Sequence, residues 1–286
     1  MGFITKLKRF RSWERIFIER FSEPLHLNLL SIFIYIFGSF RQKVKFDLVL
    51  RFQHAASLYM AADLAKEHGY HRISVLEFGV AAGAGLSNIE KISKKITKDT
   101  GIEFKIYGFD TAEGLPKPKS YKDHPELYAH GDLPMDFDRL SDSLSENTEL
   151  VIGDIKDTIK AFTERDFQDC PIGFVSIDVD YYSSTLDTLE LFKMNSENYL
   201  PKVVMYLDDL QDDFHNSWCG VKGAVKDFSE GNEFRKIERH EFLKTKRVFK
   251  NAPWIDHIYQ AHILDHPIRN NLNPEREKII FDNPHI

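Results

Sequence analysis

The chain has 286 residues, of which 42% are hydrophobic, and it carries a formal net charge of −6 at pH 7. This size and apolar content predict one large domain with an appendage, and the chain contains no internal repeat or low-complexity tract. The only two cysteines, Cys170 and Cys219, exclude a disulfide framework and indicate a reducing compartment, so we expect a cytoplasmic protein. We expect no nucleic-acid partner.

Residues 1–52 differ from the rest of the chain in charge. They contain ten Lys and Arg residues against four Asp and Glu residues, a net charge of +6, which leaves about −12 for the remainder. Residues 25–40 are strongly apolar, but this run is shorter than the roughly 20 residues that a membrane-spanning helix needs. No small-residue cleavage site follows it, so the segment does not have the pattern of a signal peptide.

Two interpretations of this appendage remain open. Helix-spaced apolar residues are typical of a helical cap over the sheet or of a contact in a homo-oligomer. Basic residues beside an apolar, aromatic-rich helix also occur where a protein attaches peripherally to an anionic membrane surface. The second interpretation would make the protein membrane-associated.

A glycine-rich turn follows the first predicted core strand, within residues 73–87. The strand ends at Glu77 and Phe78, and the turn contains Gly79, Gly83 and Gly85. Glycines allow a backbone to approach a ligand closely, and the periodic run at residues 86–96 predicts a helix whose N-terminus faces that ligand. The sequence therefore predicts a nucleotide-binding turn.

The spacing of this turn, G-x-x-x-G-x-G, differs from the G-x-G-x-x-G fingerprint of dinucleotide-binding proteins. Glu77 would repel a phosphate and attract a cation such as the amino group of S-adenosylmethionine. The arrangement resembles motif I of the class I S-adenosylmethionine-dependent methyltransferases. That resemblance implies a cofactor site formed by Glu77, Phe78, Gly79, Gly83 and Gly85.

The second predicted strand, residues 104–110, ends at Asp110. An acid at this place in a nucleotide-binding βαβ unit accepts hydrogen bonds from the ribose hydroxyls, although Asp also caps turns. Residues 110–116 resemble the D-S-F-E-G-L-P signature of the macrocin O-methyltransferase group. The resemblance implies that Asp110 and Thr111 bind the cofactor.

The third predicted strand is followed by a Gly turn and Asp154. Methyltransferases usually place a polar contact to the adenine amino group here, and Asp154 is equally suited to cap the next helix. The charged, Pro-containing insertion at residues 116–148 precedes this strand, and long irregular segments of this kind often form lids over a ligand.

Two further predicted strands end in pairs of acids. Asp178 and Asp180 follow the strand that begins near residue 171, and Asp208 and Asp209 follow the strand at residues 203–207. The carboxyl ends of adjacent parallel strands share one edge of a sheet, so we expect the four carboxylates to lie close together. Such a cluster needs raised pKa values or a bound cation, and an all-oxygen ligand set favours a hard ion such as Mg2+.

Residues 177–185 resemble the L-D-G-D-x-Y-x-S-T pattern of metal-dependent sugar O-methyltransferases in the macrocin group, with Val179 in place of Gly. The resemblance implies that Asp178, Asp208 and Asp209 bind the metal and that Asp180 is the general base. Asp178 also falls within the implied cofactor site. The change from Gly to Val makes the shape of this turn an open question.

The C-terminal part contains a helix expected at residues 218–228, which resembles a helix of the same group, and a late strand expected at residues 254–263. His262 and His266 could face the acceptor site, and packing or capping would explain them equally well.

Together these features predict an α/β fold, a doubly wound and mostly parallel seven-stranded sheet of the Rossmann-like methyltransferase type with an N-terminal helical appendage. The predicted boundaries are residues 1–52 for the appendage and 53–286 for the methyltransferase domain. The predicted function is metal-dependent transfer of a methyl group from S-adenosylmethionine to a hydroxyl of a sugar or another small molecule. The alternative is a metal-binding protein that reuses the fold for phosphoester hydrolysis or for non-catalytic ligand binding.

Overall fold

The protein is described by a computed structural model over residues 20–210 and 215–270. Seven strands form one sheet in the order β3-β2-β1-β4-β5-β7-β6. Their bounds are Arg72–Phe78 for β1, Glu103–Asp110 for β2, Thr148–Ile152 for β3, Ile172–Ile177 for β4, Tyr199–Leu207 for β5, Arg235–Arg239 for β6 and Ile258–Ile263 for β7. Strands β1 to β5 are parallel, and β7 runs antiparallel to both of its neighbours. The predicted doubly wound, mostly parallel sheet is thereby confirmed.

Helices cover both faces of the sheet. Those of the described chain are α1 (Leu25–Phe37), α2 (Phe40–Lys45), α3 (Phe52–Glu67), α4 (Ala84–Thr100), α5 (Phe137–Ser141), α6 (Ile155–Thr163), α7 (Tyr182–Leu189), α8 (Gly220–Gly231) and α9 (Leu243–Lys246). Short 3-10 helices span Tyr121–Asp123, Glu190–Lys193, Ser196–Asn198, Pro253–His257 and Pro267–Arg269. Residues of α3 and α4 form the apolar core on one face, and residues of α6, α7 and α8 form the core on the other.

Burial on both faces explains why the central strands read as continuous apolar runs. Every residue of β4 is buried, and in β1 only Arg72 is exposed. A strand that is covered by helices on both sides needs apolar residues at every position rather than at alternate ones. The continuous apolar residues that identified these strands in the sequence are therefore the ones that pack against helices on both faces of the sheet.

The late strand is shorter than expected. Residues 254–257, predicted to be part of it, belong to the 3-10 helix Pro253–His257, and β7 begins only at Ile258. Pro253 at the start of that helix has no backbone N–H to give to a neighbouring strand, and its fixed φ suits a helical turn. The predicted helix at residues 86–96 is confirmed, and it extends to Ala84–Thr100 between two glycines, Gly83 and Gly101, with left-handed backbones.

Two helices, α1 and α2, form the described part of the N-terminal appendage, and residues 1–19 lie outside the described chain. Arg41 of α2 pairs with Asp63 of α3 and Asp99 of α4 at 2.8 Å each, which joins the appendage to the main domain. Within the described residues, none of the helices is long and apolar enough to cross a membrane. The boundary at residue 52 stays a prediction, and α3 begins at that residue.

Candidate functional site

The predicted site residues gather where the strand order reverses. From β1 the chain proceeds to β2 and β3 on one side, while β4 and β5 lie on the other. Open α/β sheets bind ligands at such a switch point, beyond the carboxyl ends of the strands. Gly79 directly follows β1, and Asp178 directly follows β4, so both stand at this place.

Gly79 brings these two strand ends into contact. Its φ is +85°, and a Cβ built on it would lie 1.7 Å from the carbonyl oxygen of Asp178. The hydrogen bonds of the sheet continue past the strand ends, because Gly79 N–H donates to Phe109 O and Asp178 N–H donates to Phe78 O, at 2.9 Å each. Only glycine fits here, since both its backbone conformation and its space exclude a side chain.

Glu77 lies beneath the glycine turn. It is buried, its Oε1 lies 2.0 Å from where a Cβ of Gly85 would stand, and its Oε2 has no hydrogen-bond partner among the described residues. Burial, followed by repulsion from Asp178, raises the pKa of Glu77 to about 8. A buried carboxylate without a partner is costly, and a bound cationic group would remove that cost.

Asp110 connects the glycine turn to the end of β2. Its Oδ2 accepts hydrogen bonds from Val80 N–H and Ala81 N–H at 2.9 and 2.8 Å, and its Oδ1 accepts from Ala112 N–H at 2.7 Å. The turn-capping interpretation therefore describes what the carboxylate does here. Each carboxylate oxygen can accept more than one hydrogen bond, so Asp110 could also bind a ribose hydroxyl, and that contact stays a prediction.

A cavity opens to solvent between the glycine turn and the strand ends, with about 650 Å³ of empty space when its solvent-filled mouth is included. Its wall includes six of the predicted residues, namely Gly79, Asp110, Thr111, Asp154, Asp178 and Asp180. Of the other predicted cofactor residues, Glu77, Gly83 and Gly85 shape the turn behind this wall, and the Phe78 ring is buried against Phe109 with centroids 4.4 Å apart.

Asp154 lies where it can serve both roles that the sequence left open, as a helix cap and as a contact for a ligand. Its side chain caps α6 by accepting a hydrogen bond from Lys156 N–H at 2.9 Å, and the same residue lines the cavity. Contact with adenine stays a prediction.

The predicted lid at residues 116–148 contributes to the cavity wall through Pro116, Asp132 and Leu133. Its first half is closed into a loop, since Leu115 N–H, just before the segment, donates to Asp132 O at 2.8 Å. The buried carboxylate of Asp123 accepts a hydrogen bond from Ser183 N–H at 2.8 Å, which attaches this segment to α7. The boundaries of the lid stay a prediction.

The structure brings three of the four acids together. Asp178, Asp208 and Asp209 each offer a carboxylate oxygen, and these atoms lie within 4.8 Å of one another. Burial and repulsion from the neighbouring acids raise the pKa values of Asp178 and Asp209 well above their ordinary range. Three oxygens at this spacing fit a hard divalent cation such as Mg2+, which would offset the repulsion.

Asp180 is buried beside this cluster with a left-handed backbone at φ +58°. Its N–H donates to Asp209 Oδ2 at 3.2 Å, and the Tyr128 hydroxyl hydrogen-bonds to its carboxylate. Val179, where the related pattern has Gly, has no positive φ and packs in the apolar core. The positive φ falls at Asp180 instead, so the turn accepts Val at position 179.

His262 and His266 lie far from this cluster. His262 pairs with Lys202 across β5 and β7, and its Nε2 lies 3.0 Å from Glu238 Oε1. Six residues of extended chain separate Lys202 from Asp208, which corresponds to about 20 Å. His266 contacts Tyr199 O at the start of β5. The structure therefore contradicts the hypothesis that these histidines face the acceptor site and supports packing roles.

Several residues near the site were not identified from the sequence. Tyr128 and Asp132 belong to the lid segment, and His257, whose Nδ1 lies 2.7 Å from Leu207 O, stacks on Tyr206. The Tyr206 hydroxyl in turn donates to Asp208. A turn-forming Gly131-Asp132 pair within the lid was the one available signal. The tyrosine and histidine contacts join segments distant in the chain, and no local pattern reveals them.

Exchange of Glu77 for Gln tests the burial of that carboxyl group. Below pH 4.5 the group is protonated in both states, and between pH 4.5 and 8 only the folded protein keeps the proton, so stability falls as the pH rises through this window. We expect Glu77→Gln to stabilise the ligand-free protein at pH 8.5 by on the order of 3 kcal/mol, and much less at pH 5, in urea unfolding.

Glu90→Gln is the matched control for this prediction. Glu90 is also buried, but it accepts hydrogen bonds from Ser145 and Thr148, and their combined effect lowers its pKa despite burial. Loss of that charge should destabilise the protein at pH 8.5, the opposite sign. If Glu77→Gln were destabilising at both pH values, the carboxylate would have a partner within the protein.

Comparisons with known proteins give only distant likenesses. The chain matches no protein-family model and no curated protein. Among solved structures, the O-methyltransferase NovP is similar with 18% identity over 63% of this chain and 72% of its own, at a TM-score of 0.45. CalS11, a calicheamicin methyltransferase, is similar with 14% identity over 83% of this chain and 91% of its own, at a TM-score of 0.48. Values this low assign neither a family nor an activity.

Proposed function

We propose that the protein is a metal-dependent methyltransferase that moves a methyl group from S-adenosylmethionine to a hydroxyl of a sugar or another small molecule. The observation that carries this proposal is the charge of the cavity wall. Five aspartates line it, Asp110, Asp132, Asp154, Asp178 and Asp180, and none of its described lining residues is Lys or Arg. Such a wall attracts a ligand with cationic groups and repels phosphate.

The glycine turn would hold the donor. Gly79 leaves room beside Asp178, and the unpartnered Oε2 of Glu77 is suited to a cationic amino group nearby. Asp110 and Asp154 stand along the same cavity as acceptors for hydroxyl and amino groups. When bound, S-adenosylmethionine supplies a methyl group on a positively charged sulfur, which an acceptor oxygen can attack.

Asp178, Asp208 and Asp209 would hold the metal, because one carboxylate oxygen of each lies within 4.8 Å of the other two. A hard divalent cation bound there would supply positive charge that lowers the pKa of an acceptor hydroxyl. Asp180 would take the proton of that hydroxyl, since it lines the cavity and its backbone N–H donates to Asp209 of the cluster. Its hydrogen bond from Tyr128 would orient the carboxylate toward the acceptor.

The phosphoester alternative receives less support from the same wall. A phosphate group would enter a cavity with five carboxylates, and a single divalent cation would offset only part of their charge.

Calorimetry with S-adenosylhomocysteine, with and without Mg2+, tests the proposal. We expect micromolar binding, and we expect Asp208→Asn to abolish heat from Mg2+ while it leaves binding of the nucleoside within about threefold, because Asp208 is not part of the cavity wall. The absence of nucleoside binding under both conditions would reject the methyltransferase proposal. If the wild-type protein bound the nucleoside but no Mg2+, the metal would have to be dropped from the proposal.

A further inference from the structure

The N-terminal appendage presents an unusual surface. Eight of the 13 residues of α1 are large apolar side chains exposed to solvent, among them Leu29, Phe33, Ile36 and Phe37. Only Ser31 and Ile34 of this helix are buried. Exposed apolar patches of this extent mark a surface that meets a partner or a lipid phase.

The width of this apolar surface around the helix distinguishes a protein partner from a lipid phase. Each helical residue advances about 100°, so the exposed apolar side chains from Tyr35 around to Leu30 cover an arc of about 220°, within which His26 and Asn28 are polar. A helix that packs on one protein partner needs an apolar stripe little more than about 100° wide. A single flat interface with a second copy would leave much of this arc in water.

The length of the helix excludes a membrane span. Its 13 residues reach about 20 Å, whereas the hydrocarbon core of a bilayer is about 30 Å thick. A short helix with apolar groups over more than half of its circumference suits the boundary between headgroups and acyl chains, where surrounding lipid covers all of them.

The charge around α1 favours anionic lipid. Lys43 and Lys45 follow in α2, and the Lys43 ammonium lies 5.8 Å from the ring centre of Tyr35. Residues 20–52 contain five Lys and Arg residues against two Asp and Glu residues, a net charge of +3, whereas residues 53–286 carry about −12. A basic segment on an acidic protein is attracted to an anionic surface while the rest of the molecule is repelled from it.

The helix is also attached firmly enough to orient the domain. Directly before α1, Glu23 accepts a hydrogen bond from Asn251 N–H at 2.7 Å, and Arg20 donates to Phe46 O at 2.9 Å. We propose that α1 inserts its apolar arc into the headgroup region of an anionic phospholipid bilayer and so holds the protein at a membrane surface.

Vesicle co-sedimentation of the full chain tests this proposal. We expect binding to vesicles of phosphatidylcholine with phosphatidylserine, and weaker binding to phosphatidylcholine alone. The triple variant Phe33→Ser, Ile36→Ser, Phe37→Ser should lower binding to the mixed vesicles by more than about tenfold, because these side chains supply the buried apolar area. All three are exposed in water, so their exchange should leave the fold intact.

The chain offers a matched control with the same residue types. Phe234→Ser, Phe242→Ser and Ile268→Ser also remove two exposed Phe and one exposed Ile, away from α1, and this triple variant should bind vesicles as the wild type does. Equal losses in both triple variants, or no binding by the wild type, would overturn the proposal. Light scattering tests whether α1 instead packs against a second copy of the chain. A wild-type protein that is dimeric and binds no vesicles, and that only the α1 variant converts to a monomer, would assign this helix to a dimer interface.

Discussion

Exchange of Asp180 for Asn should lower methyl transfer by about 10²- to 10⁴-fold and leave the affinity for S-adenosylhomocysteine nearly unchanged. The amide of Asn has almost the same shape as the carboxylate but cannot accept the hydroxyl proton. The left-handed backbone at this position, φ +58°, is one that Asn tolerates well, so the turn should persist. A radiolabelled methyl-transfer assay with a panel of sugar acceptors measures the first effect, and calorimetry measures the second.

Tyr128→Phe is the companion variant for this test. It removes the hydroxyl that hydrogen-bonds to the Asp180 carboxylate but leaves the carboxylate itself. We expect a smaller loss of turnover, about tenfold, together with a shift in the pH profile of the rate, since a lost hydrogen bond changes the pKa of the proposed base. If Asp180→Asn kept the full rate, another group would have to take the proton.

Exchange of Gly79 for Ala should have the largest structural effect of any single methyl group in the site. The new Cβ would lie 1.7 Å from the carbonyl oxygen of Asp178, so the ends of β1 and β4 would have to separate. We expect a loss of more than about 4 kcal/mol in the free energy of unfolding, because the overlap is with backbone and cannot be relieved by a rotamer. Binding of S-adenosylhomocysteine and of Mg2+ should fail together, since both depend on this junction.

Gly101→Ala provides the matched control. Gly101 has nearly the same backbone, φ +81° against +85°, but nothing lies within 4 Å of a Cβ built on it. Its exchange should cost about 1–2 kcal/mol, the conformational cost alone, and should leave ligand binding intact. Urea unfolding of both variants measures the difference. Equal losses of stability would show that the contact with Asp178 carries no cost of its own.

The fold could be predicted to a large extent because its signals are local. Strands β1, β4 and β5 are apolar runs with an acid near or directly after their last residue, and α4 lies between two glycines. A strand buried on both faces and a helix amphipathic along one face each leave a pattern that short windows of sequence contain. Where a local rule was overlooked, the prediction was wrong: Pro253 starts a 3-10 helix rather than a strand.

The site residues that could be predicted are those placed by the end of a strand alone. Asp178 and Asp208 each follow a parallel strand of the sheet, and parallel pairing brings Ile177 beside Leu207. The distance between their carboxylates then follows from the register. The hypothesis that His262 faces the site was wrong because β7 is antiparallel to β5. The start of β7 rather than its end therefore reaches the site, and His257 is the histidine that lies there.

From the order of its residues alone, this chain determines a parallel sheet, a glycine turn and acids at the ends of two strands, since each depends on neighbours a few positions away. Only the tertiary structure decided that Asp110 caps that turn, that Tyr128 reaches Asp180 and that the apolar side chains of α1 remain exposed. These outcomes depend on contacts between segments far apart in the chain. The chain path sets such contacts, and the same local patterns are compatible with other partners.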